Sequence, residues 1–236
     1  MSAQDTYNPV AAVNAPETDR ASFMAKVYLH VGYALAAFLA FEVVLFVTGI
    51  AESMREFFLN NGGFTWLLLL GGVMFIQGFA AKAATNLSDP GVQYMGLFGS
   101  AFGQALIFAP FLSYVFSTQG GTGTVAQAAI VTLVGFAMLT AIGLFTRKDL
   151  SFLRPIVMWG FGLAMIAIVG AVIFEFDLGV WFSVAMIGLA GAAILFQTQS
   201  ILRKYPIGAH VPAALSLFSS LMTMFWYVLR LFMSRD

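Results

Sequence analysis

The chain lacks cysteine altogether and has few histidines and few charged residues. Of its 236 residues none is Cys, two are His and 9% are charged. Without cysteine there is no disulfide, no thiol nucleophile and no Cys metal site, and two distant histidines argue against a zinc or haem centre. The sequence also contains no G-x-S-x-G, H-E-x-x-H or Walker A motif, and no basic patch typical of nucleic-acid binding. We therefore predict a protein that is not an enzyme, with no cofactor, no metal site and no nucleic-acid partner.

Long apolar segments dominate the chain instead. Hydrophobic residues make up 60% of it and the mean hydropathy is +0.89, whereas a soluble domain carries about 25% charged residues. Because a helix needs about 20 apolar residues to cross a membrane, we predict seven transmembrane segments. They are Met24–Ile50, Phe64–Ala84, Val92–Ser117, Val125–Phe145, Leu153–Phe174, Leu178–Ile201 and Ala209–Phe232. Lipid offers no partner to free backbone groups, so we expect an all-α polytopic membrane protein that has the lipid bilayer as its main solvent.

The N-terminal stretch is too polar to cross a membrane. Residues 1–22 include Asp5, Pro9, Pro16 and Asp19, with few large apolar residues. We predict a disordered cytoplasmic tail over residues 1–22 and one seven-helix transmembrane domain over residues 23–236. The gaps between the later segments are too short to hold a second folded domain.

Basic residues lie mostly in one alternating set of these gaps. Eight lie on the side of the N-terminus, namely Arg20, Lys26, Lys82, Arg147, Lys148, Arg154, Arg203 and Lys204. The opposite side has three, namely Arg55, Arg230 and Arg235. Because cytoplasmic loops are enriched in Lys and Arg, we expect a cytoplasmic N-terminus and, with seven spans, an external C-terminus.

Glu42 and Lys82 are the two ionisable residues within the apolar segments that we single out, because charge is costly there. Glu42 is the only carboxylate deep in an apolar run. It is either a proton or cation site or a neutral acid that is hydrogen-bonded to a neighbouring helix. Lys82 lies near the cytoplasmic end of the second segment and either extends its amine to the membrane surface or pairs with a carboxylate in the bundle.

The third, sixth and seventh segments carry the other candidate features. Pro110 interrupts the third segment and should kink it, near Gly103 and Gln104. The last segment has hydroxyl residues spaced by three and four positions, which places them on one helix face. They are Ser216, Ser219, Ser220 and Thr223. This face and the Q-T-Q-S cluster at residues 197–200 either line a polar cavity or join helices by hydrogen bonds.

Small residues recur at four-residue spacing, which allows close helix contact in lipid. Examples are the pairs Gly99 with Gly103 and Gly188 with Ala192. We expect these contacts mainly within one bundle, with a dimer face as the alternative.

Three stretches carry a family resemblance. Residues 136–153 contain F-A-M-L-T and then G-L-F-T-R-K-D-L-S-F-L, residues 213–231 contain A-A-L-S-L-F and then Y-V-L-R-L, and Gly103–Leu112 contains the proline. Together they resemble the signatures of the Bax inhibitor-1 family. The resemblance implies a seven-helix bundle with the last helix at the centre and the N-terminus in the cytoplasm. Family members are described as pH-sensitive calcium-leak channels and as regulators of cell death, and some bacterial relatives modulate a membrane-anchored FtsH-type protease.

The sequence departs from the family pattern at two positions. The family has an aspartate before the T-Q dipeptide that follows helix six and another in the last helix, and the pair shares protons. Here Gln197 and Ser220 occupy these positions. Neutral side chains cannot form a titrating pair, and they attract a divalent cation less than carboxylates do. They could still join the two helices through a carboxamide–hydroxyl hydrogen bond.

Two functional hypotheses follow from the resemblance. The first is a calcium leak with altered or lost pH gating, in the inner membrane of a bacterium. Its pore and gate candidates are Gln197, Ser220, Glu42, Ser216, Thr223 and Lys82. The second is a non-conducting regulator that binds a membrane protease through the cytoplasmic tail.

Overall fold

The computed structural model describes residues 12–118 and 120–234, and the regular structure in these ranges is helical, with no strands. A short 3-10 helix, Ala12–Asn14, precedes eight α-helices. They are α1 (Glu17–Val47), α2 (Ile50–Asn61), α3 (Gly63–Ala84), α4 (Pro90–Ser117), α5 (Gly121–Phe145), α6 (Leu153–Ile173), α7 (Gly179–Lys204) and α8 (His210–Met233). All of these α-helices except α2 are long and apolar enough to cross a membrane, which makes seven. The predicted all-α fold with seven spans is confirmed.

The short helix α2 is an element that the sequence analysis did not predict. Gly49, with a φ of 75°, lies in the left-handed region that favours glycine and turns the chain from α1 into α2. In the sequence this segment resembles a loop, because it contains the charged residues Glu52, Arg55 and Glu56. The first span therefore ends at Val47, before the predicted Ile50. α2 packs against α1, α3 and α4 at one end of the bundle.

The N-terminal region differs from the predicted tail of residues 1–22. Residues 1–11 of that tail lie outside the described residues. In the rest, helix α1 already begins at Glu17. Ahead of it, Ala12 is 0% exposed and its N–H donates a hydrogen bond to the carbonyl of Tyr205 across 2.9 Å. The helical domain thus starts earlier than residue 23, and a docked segment precedes it.

Contacts between helix ends define two faces of the bundle. At the face where α1 begins, which we call the N-terminal face, His30 of α1 contacts His210 of α8 with ring centroids 4.6 Å apart. The loop between α5 and α6 lies at the same face, because Asp149 pairs with Arg203 near the end of α7 at 3.5 Å. At the opposite, C-terminal face, Arg230 near the end of α8 pairs with Asp177 at 3.2 Å. The first helix therefore begins on one face and the last helix ends on the opposite face, as an odd number of spans requires.

α8 is the most buried of the seven spans. It packs against α1, α3, α4, α5 and α7, and its Leu217, Phe218 and Leu229 are fully buried. Its Tyr227 packs with Ala164 of α6. The expectation that the last helix is central is confirmed. The polar positions of α8 thus lie inside the bundle, where they can act on neighbouring helices.

Candidate functional site

Gln197 and Ser220 meet where α7 contacts α8. The Ser220 hydroxyl donates a hydrogen bond to Oε1 of Gln197 across 3.0 Å, and Ser220 is 5% exposed. The structure thus contains the carboxamide–hydroxyl bond that the sequence suggested. Breaking such a bond and leaving a buried polar group unpaired costs about 1–3 kcal/mol. The pair therefore holds α7 and α8 together without charge; its action as a gate stays a prediction.

The other hydroxyls of the α8 stripe bond to their own helix. Ser216 donates to the carbonyl of Ala213 at 2.8 Å, Ser219 to that of Leu215 at 3.0 Å, and Thr223 to that of Ser219 at 2.9 Å. Such bonds satisfy a hydroxyl inside an apolar bundle without a partner helix. Ser216 also lies beside Tyr205, just beyond α7, where burial raises the pKa of the phenol and the hydrogen bond with Ser216 opposes that effect.

Three more hydroxyls converge where α1, α5 and α7 meet. Gly143 lets α5 approach α7 closely, since a Cβ there would lie 2.9 Å from Cβ of Thr198. One turn away, the Tyr28 hydroxyl lies beside those of Thr140 and Thr198. All three oxygens are buried, and none makes a well-aligned hydrogen bond within the described residues. The F-A-M-L-T and Q-T-Q stretches of the family resemblance therefore meet here. Tyr28 escaped the sequence analysis because a lone tyrosine in an apolar helix belongs to no motif.

Glu42 is separate from these contacts. It is 6% exposed, and its two carboxyl oxygens have no hydrogen-bond partner in the described part of the chain. One turn to either side, Phe38 and Phe46 contact Phe108 and Phe116 of α4, with ring centroids 5.4 Å and 5.5 Å apart. Residues four apart share a helix face, so Glu42 lies on the α1 face that packs against α4. It makes no hydrogen bond to Gln197 or Ser220.

Lys82 and Pro110 lie in different surroundings, one exposed at a helix end and the other buried within a helix. Lys82 is exposed in the last turn of α3 at the N-terminal face, a position that fits an amine extended to the membrane surface. Pro110 is buried in α4, which continues as one helix from Pro90 to Ser117. Because proline has no N–H, the carbonyl of Leu106 loses its usual helical partner. Neither residue lies in the contact between Gln197 and Ser220.

A cavity of about 890 Å³ lies among α3, α4, α6 and α8, open toward the C-terminal face. Its walls are mainly aliphatic and aromatic, and its polar lining includes Gln77, Gln104 and Thr223. Of the predicted pore, gate and kink residues, Thr223 and Pro110 line it, whereas Gln197, Ser216, Ser220, Glu42 and Lys82 do not. The two polar clusters therefore do not jointly line this cavity, which is chiefly apolar.

Gln199 fastens the loop between α5 and α6 to α7. Its Oε1 accepts a hydrogen bond from the Leu150 N–H at 2.7 Å, and its Nε2 donates to the Lys148 carbonyl at 2.7 Å. In the same loop, hydrogen bonds from the side chain and backbone of Ser151 hold the pKa of Asp149 below its ordinary value, with Arg203 adding to the effect. The sequence analysis assigned Gln199 to a polar cluster but did not foresee that it fixes this loop.

We expect Gln199→Ala to loosen this loop and to lower the free energy of unfolding by about 1–3 kcal/mol, because two part-buried hydrogen bonds to the backbone are lost. Trypsin cleavage after Arg147 and Lys148 should become faster, and the measurement is the rate of that cleavage in detergent. Gln127→Ala, at an exposed position on α5, is the matched control and should behave like the parent. Equal cleavage of the two variants would show that Gln199 does not hold the loop.

Seven spans, with the buried final helix at their centre, define an integral membrane protein of the polytopic α-helical class. Polar side chains join its helices by hydrogen bonds between Gln197 and Ser220, Gln77 and Ser100, and His30 and Tyr94. The chain belongs to the family described as "Inhibitor of apoptosis-promoting Bax1", whose model matches residues 20–236. The resemblance to the Bax inhibitor-1 family is therefore confirmed.

Similar proteins occur in several bacteria. The chain is 29% identical over 225 residues to "Modulator of FtsH protease YccA" of Escherichia coli K12, covering 92% of this chain and 96% of the relative. It is 27% identical over 198 residues to a protein of Campylobacter jejuni, covering 78% of this chain and 79% of the relative. A protein of Neisseria meningitidis is 26% identical over 148 residues, and the match covers 62% of this chain and 64% of that protein's length.

Proposed function

We propose that this protein is a non-conducting regulator of an FtsH-type protease in a bacterial inner membrane, with its N-terminus in the cytoplasm. The relative with the widest coverage among those described above is named a modulator of such a protease, and it matches over 92% of this chain. The same relative in another Escherichia coli strain is named an inner membrane protein. The excess of basic residues at the N-terminal face supports the orientation.

The observation that carries the proposal is the neutral bond between Gln197 and Ser220. Where the family resemblance implies two acids that exchange protons, this chain has an amide and a hydroxyl joined at 3.0 Å. Neither group changes charge near neutral pH, so protons have no means of breaking the contact at this point. A contact between α7 and α8 that does not respond to protons suits a protein that acts by binding a partner rather than by opening a path.

The docked segment ahead of α1 gives the regulator a contact point. The Ala12 N–H binds the Tyr205 carbonyl at 2.9 Å, so the chain preceding α1 is attached beside the loop between α7 and α8. Residues 1–11 precede this attachment, and their sequence includes the polar residues Gln4, Asp5 and Asn8. A processive protease engages such a segment more readily than a helix buried in lipid. We propose that the protease binds at this face.

A calcium leak with altered or lost pH gating is the second candidate. Glu42 favours it, because a buried carboxyl group with no hydrogen-bond partner among the described residues is a functional site by default within a membrane. Calcium, however, prefers several oxygen ligands including carboxylates, and the described structure contains no group of three acidic or histidine side chains placed to hold a metal. Glu42 also lies outside the lining of the large cavity. The regulator therefore remains the first proposal.

The two candidates differ in what a reconstituted membrane would do. A regulator changes the rate at which an FtsH-type protease degrades a membrane substrate in the same vesicles. A leak changes calcium entry into the vesicles whether or not the protease is present.

A further inference from the structure

The large cavity has the shape and chemistry of a site for an amphiphile. Leu70 and Val73 of α3, Met165 and Ile168 of α6, and Trp226 of α8 form part of its apolar wall. Trp226 itself lies against Phe111 with ring centroids 4.3 Å apart. The volume, about 890 Å³, lies within the range of about 300–1,000 Å³ that is typical of sites for small ligands. An apolar ligand of considerable length would therefore fit.

Charged groups are confined to the mouth of the cavity. Arg55, Asp177 and Arg230 lie there, at the C-terminal face. Arg230 pairs with Asp177 at 3.2 Å, and Arg55 pairs with Glu52 at 3.1 Å while its own side chain is only 20% exposed. Guanidinium groups bind phosphate oxygens through paired hydrogen bonds. The mouth thus places two arginines, each paired with a carboxylate, above an apolar interior, an arrangement that matches the polarity of a phospholipid.

The wall between α3 and α6 faces the surrounding lipid. The two helices come close at the C-terminal face, where a Cβ on Gly63 would lie 3.1 Å from Cγ1 of Val172. α3 and α6 are also the least buried of the seven spans, yet both have residues further along that line the cavity. The bilayer is therefore the nearest source of an occupant.

We infer that this cavity binds a phospholipid from the membrane leaflet at the C-terminal face. An acyl chain lies between α3, α6 and α8, and the phosphate lies at Arg55 and Arg230. The site does not depend on the proposed action on a protease. It is separate from the contact between Gln197 and Ser220, whose residues do not line it.

Trp226 is a built-in reporter of an acyl chain in this cavity. The chain has four tryptophans, and replacing Trp66, Trp159 and Trp181 with phenylalanine leaves Trp226 alone. Trp226 belongs to the central helix and has intermediate exposure on the wall of the cavity, so a quencher reaches it chiefly through the cavity. Phospholipid with brominated acyl chains quenches tryptophan fluorescence on contact. We expect strong quenching of this variant in vesicles of brominated phospholipid, and absence of quenching would overturn the inference.

A pair of substitutions on α6 tests whether the quencher lies in the cavity. Met165→Phe with Ile168→Phe adds bulk to the cavity wall and should reduce the quenching of Trp226 severalfold. Leu163→Phe with Ile166→Phe adds the same groups three residues apart on the same helix, but at positions that are 62% and 70% exposed, and should leave quenching unchanged. Equal quenching in the two double variants would contradict the inference. Thermal unfolding, measured for both, shows whether each bundle is folded.

The headgroup assignment has its own test in the Trp226 variant. We expect brominated phospholipid to quench more than brominated diacylglycerol, which has no phosphate, at the same mole fraction. Arg55→Gln with Arg230→Gln should remove this difference, whereas Arg154→Gln at the N-terminal face should keep it. A preference for phospholipid that survives the double substitution would show that the arginines do not bind the headgroup.

Discussion

Substituting Gly96 with alanine is expected to destabilise the bundle by about 3 kcal/mol, the upper end of the usual cost of overpacking a core. A Cβ at this position of α4 would lie 2.5 Å from the carbonyl oxygen of Ala80 and 2.6 Å from the backbone nitrogen of Ala84. These are backbone atoms of α3, so no side chain can rotate to make room. The two helices would have to move apart along one of the main contacts of the fold.

Gly99 provides the matched control, because it lies on the same helix and a Cβ there would meet no heavy atom within 4 Å. Gly99→Ala should leave stability unchanged or raise it slightly, since alanine favours the helix by about 1 kcal/mol over glycine. Thermal unfolding of both variants in the same detergent is the measurement. Equal unfolding temperatures would mean that α3 and α4 are not packed as described.

Removal of residues 2–11 is expected to abolish regulation of the protease while leaving the bundle folded. The deletion stops before Ala12, so the hydrogen bond between Ala12 and Tyr205 and the whole of α1 remain. The protease would lose only the segment that it is proposed to engage. The measurement is the degradation rate of a membrane substrate in vesicles, which should return to the rate without this protein.

A replacement variant separates the length of this segment from its sequence. Glycine and serine in place of residues 2–11 give a flexible chain of the same length. Because engagement by a processive protease needs an unfolded chain rather than a particular motif, this variant should regulate like the parent. Regulation that persists in the deletion variant would exclude residues 2–11 as the contact and would place it elsewhere on the N-terminal face.

The spans could be predicted from the sequence because length and hydropathy are local properties of a segment. α2 could not, since Glu52, Arg55 and Glu56 make its composition similar to that of a loop. A short helix at the end of a bundle is stabilised by the helices that it packs against, and these contacts are known only from the tertiary structure. The same reason explains why the first span ends at Val47 instead of Ile50.

Close helix contacts show a different limit of sequence analysis. Spacing alone pointed to Gly99 with Gly103. Gly103 does approach α3, since a Cβ there would lie 3.3 Å from Cγ2 of Ile76, but Gly99 has open space around it. Gly96 and Gly143, which spacing did not single out, are among the positions where a Cβ would collide with a neighbouring helix. The four-residue spacing is shared by every face of a helix. Which face meets a neighbour is decided by how the helix is rotated in the bundle, and that is set by all of its contacts together.

Among the candidate site residues, the pair on α7 and α8 was foreseen best. The resemblance placed Gln197 and Ser220 at the two aspartate positions of the family, and the two residues form the hydrogen bond that their side chains allow. The hydroxyl stripe shared one helix face as expected, but a serine or threonine in a helix can equally bond to its own preceding turn, as Ser216, Ser219 and Thr223 do. Sequence spacing contains no information on which of these bonds forms.

The most direct test of the proposed function is one assay on vesicles that contain an FtsH-type protease, a membrane substrate and a calcium-sensitive dye, with and without this protein. The account predicts that adding the protein changes the degradation rate of the substrate while calcium entry stays at the level of protein-free vesicles from about pH 6 to pH 8, a range that spans the ordinary histidine pKa. An unchanged degradation rate together with calcium entry that requires this protein would contradict the account and establish the leak instead.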